Sequence, residues 1–187
     1  MGVLSLNDSE ADCGIPNKCS RNVPGRLILL DNAPTAALFA LGTAILWLYW
    51  WPFALLYVVY CILSIILFWK YICTHCHHYG TQACPCGYGR IAPKYFPKRT
   101  IDANGFKPVF RRNIAVMFPC WLVPIIAGIY HTFSSGPNPI SIALLATFCA
   151  VGFAVIPLIS RLVGCKRCGI RERCPWVVNE NPTRKNQ

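Results

Sequence analysis

The sequence predicts an all-α integral membrane protein: four transmembrane helices in two hairpins, related as an internal parallel repeat, with a cytoplasmic cysteine-rich cap. Three observations lead there. The 187 residues are 55% hydrophobic and only 13% charged, about half the ~25% charged content of a soluble domain, and mean hydropathy is +0.41. Two long apolar blocks each span a membrane twice over. All 18 Lys and Arg residues fall on one side of the resulting topology.

The first block runs from Ala33 to Ile72, with Lys70 its one charged residue. That is about twice the ~20 residues a single span needs. Pro52, in Trp50-Trp51-Pro52-Phe53, splits it into a helix over Pro34 to Trp50 and another over Phe53 to Tyr71. The second block runs from Ile114 to Leu162 and breaks at Ser134-Ser135-Gly136-Pro137-Asn138-Pro139, a strong turn signal. It predicts helices over Asn113 to Phe133 and Ile140 to Leu162. Before the first helix, Gly25 to Leu30 reads as a short surface helix, with Asp31 and Asn32 as caps. The chain thus divides into an N-terminal segment (1–31), hairpin one (32–72), a basic cysteine-rich loop (73–112), hairpin two (113–162) and a cysteine-rich tail (163–187).

Charge sets the expected orientation. Basic residues cluster before helix one, in the middle loop and at or beyond the end of helix four, and the two hairpin turns carry none. The positive-inside rule puts both termini and the middle loop in the cytoplasm of a multi-pass cell-membrane protein. The net charge of +11 then reflects topology. It suits a bilayer with anionic headgroups and gives no reason to invoke nucleic acid. The polar start, with Asp8, Glu10 and Asp12, reads as no cleavable signal peptide. Trp47, Trp50 and Trp51 form an aromatic belt at the outer turn, with Trp69 at the inner one. The stretch from Arg90 to Arg99, RIAPKYFPKR, reads as an interfacial segment.

Function has to come from the cysteines. Cys73-Thr74-His75-Cys76-His77 matches the C-x-x-C-H signature of c-type haem. Covalent haem attachment belongs to the outer face, and this loop is expected to face inward, so haem is set aside. Of twelve cysteines, Cys61, Cys120 and Cys149 lie within spans, where cysteine behaves as a small hydrophobe. The other nine fall on the expected cytoplasmic side, where thiols stay reduced and short spacings point to metal.

The spacing repeats. Cys73-x2-Cys76-x7-Cys84-Pro85-Cys86 follows hairpin one, and Cys165-x2-Cys168-x5-Cys174-Pro175 follows hairpin two. C-x-x-C lets two thiolates converge on one ion, and a later cysteine closes the other side. Lys166, Arg167, Arg171 and Arg173 favour the thiolate form. The expected ligands are Cys73, Cys76, Cys84, Cys86, Cys165, Cys168 and Cys174, with His77, His75 and His78 in reserve; Cys13 and Cys19 are further candidates for a fourth ligand. Zinc takes four Cys or His ligands in a tetrahedron. An iron–sulfur cluster takes cysteines at the membrane surface and wires a redox partner. The sequence leaves zinc and iron–sulfur open.

Absences narrow the field further. There is no Walker motif, no G-x-S-x-G and no H-E-x-x-H, and no acidic residue falls within the predicted spans. A self-sufficient enzyme or an ion-coupled transporter would require such groups. Three readings remain: a metal-binding accessory or electron-transfer subunit of a membrane complex, a thiol-based handler of copper(I) or mercury(II) using Cys61, Cys120 and Cys149 as its path, and a membrane protein braced by structural zinc.

Overall fold

The computed structural model describes residues 22–100, 106–136 and 138–165. These are helical, with no strand among the described residues. Helix α1 spans Gly25–Tyr49 and α2 spans Trp51–Tyr71, with Trp50 alone between them in extended conformation. Pro52 stands in the first turn of α2, where its missing N–H removes no helical bond. A 3-10 turn over Cys73–His75 then leads into a loop, and α3 spans Tyr88–Tyr95. Helix α4 (Phe106–Asn113) runs through a 3-10 segment, Ile114–Met117, into α5 (Pro119–Ser134). Helix α6 (Pro139–Ala150) continues through a π-helical stretch, Val151–Val155, into α7 (Ile156–Ile159) and a second π-helical stretch, Ser160–Cys165.

Four stretches are long and apolar enough to cross a membrane: Gly25–Tyr49, Trp51–His75, Pro108–Ser134 and Pro139–Val163. Their outward surfaces are apolar. Leu56 is 64% exposed, Ile126 64% and Phe133 86%, a pattern that suits lipid and not water. The protein is therefore a multi-pass membrane protein with an all-helical fold.

Helix α1 is the hub, packing against α2, α5 and α6. The chain reverses at Trp50, so Leu46 meets Ala54 and Gly42 lies against Tyr57. One buried cluster joins Leu46, Ala54, Tyr57, Cys61 and Cys120, and another joins Leu38, Ile45 and Phe148. Gly128 of α5 faces Leu145 of α6 across the second turn, and Asn138 caps α6 by accepting from the N–H of Ile140.

Two expectations are corrected. The residues from Gly25 to Leu30 are not a separate surface helix; they are the first turns of α1. Asp31 and Asn32 therefore lie inside a helix and do not cap one. Asn32 turns its side chain to the carbonyls of Ile28 (2.7 Å) and Cys86 (3.0 Å). The helix carries on through Pro34, because a helical proline removes one hydrogen bond and kinks the chain without having to stop it. It follows that a helix long enough to span does contain an acidic residue. Of the predicted regions, residues 1–21 and 166–187 lie outside the described residues. Those ranges hold Cys13, Cys19, Cys168 and Cys174.

Candidate functional site

At the end of the bundle away from the two tight turns, the chain between Cys73 and Tyr95 folds back on α1 and α2. Gly87, at φ +75°, occupies the left-handed region that favours glycine. Gly89 has no room for a side chain, because a Cβ there would run into the His78 carbonyl oxygen. Pro93 lies within α3 and has no N–H for the Gly89 carbonyl one turn earlier. The N–H of Gly80 donates to that carbonyl instead, at 2.9 Å. Arg90 donates through Nη2 to the carbonyls of Val23 (2.7 Å) and Gln82 (3.0 Å), and the Val23 N–H donates to Gln82 (3.1 Å). The Tyr79 hydroxyl donates to the Phe96 carbonyl at 2.6 Å. Trp69 at the end of α2 packs beside Tyr88 and stacks on Tyr95.

This fold gathers part of the predicted ligand set. Cys73 and Cys84 are buried, and Cys76 and Cys86 are partly buried. Cys86 lies near Asp31, Cys84 and Cys73, and the Tyr88 phenol lies near the same groups and Cys86. Cys73 in turn neighbours Cys76 and Cys84. Burial pushes the Cys86 thiol well above its ordinary range, and the Asp31 carboxylate beside it pushes the same way. Burial likewise raises Tyr88. Of the histidines, His77 is exposed and His78 is buried. Burial lowers the pKa of His78, with His77 adding to the effect. His75 turns Nδ1 toward the Tyr71 carbonyl at 3.1 Å.

Asp31 is the member that sequence reasoning missed. Its carboxyl lies beside the Cys86 thiol, and its Oδ1 atom is buried with no hydrogen-bond partner. An Asp just before an apolar run can be a cap or an intramembrane acid, and local sequence does not separate the two. In the present arrangement no three His, Cys, Asp or Glu side chains among the described residues converge into a metal-ligand group. The backbone of Cys165 ends the second π-helical stretch. The rest of the second knuckle, Cys168 and Cys174, lies outside the described residues.

A separate polar cluster sits in the middle of the bundle. Tyr57, Cys61 and Ser64 share the inner face of α2, spaced at i, i+4 and i+7, and all three are buried. They meet Cys120 of α5, which is fully buried. The Cys61 thiol donates to Cys120 Sγ at 3.9 Å, and Ser64 Oγ lies 3.4 Å from the same sulfur. Ser64 donates to the Cys61 carbonyl at 2.8 Å, and the Tyr57 hydroxyl donates to the Cys120 carbonyl at 2.8 Å. Cys149 is not among them; it packs beside the Leu38, Ile45 and Phe148 cluster.

Comparison with known proteins supplies no relative: no family model, no curated protein and no solved structure matches the chain.

Proposed function

We propose that this multi-pass membrane protein binds zinc through the cysteines of its middle loop, on the cytoplasmic side, and that the metal braces the loop against the ends of α1 and α2. The observation that carries the reading is the company of Asp31. A carboxylate from the membrane helix shares one buried neighbourhood with Cys73, Cys84 and Cys86. Three thiolates and a carboxylate form a zinc-type set, because zinc accepts S and O donors together. Iron–sulfur clusters are held mostly by thiolates alone. Metal would displace the thiol protons that the Cys86–Asp31 contact now retains, so binding releases protons. Side-chain movements have to close the set, because no three of these groups converge among the described residues. Orientation rests on the one-sided distribution of Lys and Arg.

The test is metal analysis with an absorption spectrum, on protein purified without oxygen in detergent. Zinc at about one per chain with no visible band is the expected result, and it should fall in Cys84→Ser and Asp31→Ala. Iron and sulfide with a visible band would replace the zinc reading with an electron-transfer subunit that serves a membrane redox partner. Metal-free protein would end both.

A further inference from the structure

We infer that Cys61 and Cys120 form a second, intramembrane binding site for a soft monovalent cation, copper(I) or its analogue silver(I). The site stands independently of the loop cysteines.

Four observations carry this. The first is depth. Cys61 lies ten residues after Trp51 in the span Trp51–His75, so at 1.5 Å per residue it sits about 15 Å in, roughly half of a ~30 Å hydrocarbon core. At that depth no water competes for the sulfurs, so a cation held there has only the protein's own donors. The second is separation. The two sulfurs are 3.9 Å apart, and neither cysteine is in a disulfide. With the zinc–thiolate distance of about 2.3 Å as a guide, a cation bridging two sulfurs in a linear arrangement needs ~4.6 Å between them. The pair has to open by less than 1 Å to admit one.

The third observation is donor type. Soft sulfur ligands select copper(I) over harder ions, and the remaining neighbours, Ser64 Oγ and the Tyr57 hydroxyl, are neutral. The fourth is charge. When the cation replaces the Cys120 thiol proton, one positive charge enters as one leaves. Thiolate and monovalent ion make a neutral unit, and Cys61 completes the pair as a neutral thiol. A divalent ion would leave a net charge in the core, which the bilayer penalises. The hydrogen bonds of the metal-free state fit the same roles. Ser64 spends its proton on the Cys61 carbonyl, so its oxygen is left to accept from the Cys120 thiol, and the Cys61 thiol donates to Cys120.

The experiment is anaerobic titration of the full chain in detergent, with copper(I) supplied as its bicinchoninate complex, on the parent protein and on Cys61→Ser, Cys120→Ser and Cys149→Ser. All four chains keep every loop and tail cysteine, so those contribute equally. Cys61→Ser and Cys120→Ser should each bind about one copper fewer per chain than the parent, and Cys149→Ser should bind the parental amount. Unchanged stoichiometry in the first two would overturn the site, as would an equal loss in Cys149→Ser. Cys61→Val, which keeps the volume and removes the sulfur, takes the place of Cys61→Ser if that chain does not fold. Zinc content of the loop, measured on the same samples, should be the same throughout. A fall in zinc with no change in copper would overturn the independence of the two sites.

Discussion

The sharpest prediction concerns Tyr57. Pro124 sits inside α5 and has no N–H, so the carbonyl four residues before it, that of Cys120, has no helical donor. The Tyr57 hydroxyl, arriving from α2, donates to it at 2.8 Å. Tyr57→Phe keeps the ring and deletes the donor. The Cys120 carbonyl is then stranded among apolar atoms, which costs about 1–3 kcal/mol in general; interhelical hydrogen bonds within membranes measure nearer 0.6 and at most about 1.7. The expected loss is therefore about 1–2 kcal/mol, or roughly tenfold in the folding constant. The assay is reversible unfolding in mixed detergent micelles, followed by tryptophan fluorescence. Pro124→Ala supplies the decisive second arm of a double-mutant cycle. It restores an N–H at position 124, which can donate to the Cys120 carbonyl. In that background Tyr57→Phe should cost less than about 0.5 kcal/mol. An equal cost in both backgrounds would refute the account of Tyr57 as a substitute donor.

Three further outcomes follow from the loop. Gly89→Ala drives a Cβ into the His78 carbonyl and against Cys84; the loop should become trypsin-sensitive at Lys94 while helical circular dichroism is kept. Arg90→Gln removes the Nη2 bonds to Val23 and Gln82, and amide exchange at Val23 should rise by about tenfold, in line with one or two lost charge-assisted bonds. Asp31→Asn keeps the shape and removes the charge beside Cys86. It should weaken zinc binding by about tenfold or more, as loss of a ligand or its nearest support does, with no change in the amount of folded protein.

The spans were legible because their signals are local. Apolar runs, Pro52 and the Ser-Ser-Gly-Pro-Asn-Pro turn placed three of the four within about five residues at each end, and the first helix at its C-terminal end only, since α1 begins at Gly25 and not at Pro34. What could not be read was set by contacts between residues distant in sequence. Asp31 and Asn32 look like caps until Cys86, 54 residues from Asn32, proves to accept from Asn32 and to lie beside Asp31. The compact loop depends on the bond from Gly80 to the carbonyl that Pro93 leaves free, and no window of sequence shows that two such groups will meet. The cysteine pattern drew attention to the middle loop, but spacing alone could not separate His77, which is exposed, from His78, which is buried.

The polar groups inside the bundle follow one logic. Helix α5 is built around Pro119 and Pro124 and enters through a 3-10 segment, so carbonyls on its α2 side lack regular donors. A membrane gives them no water. Helix α2 answers with two hydroxyls: Tyr57 donates to Cys120 and Tyr60 donates to the Val116 carbonyl at 2.7 Å. That requirement accounts for the tyrosines without any ligand. It does not account for Cys61 and Cys120, whose sulfurs relieve no backbone group of α5. The two cysteines also fill buried volume beside Leu46, Ala54 and Tyr57, but filling volume does not require two thiols to face one another across a helix interface at mid-bilayer, and that meeting is the reason to look for copper(I) there.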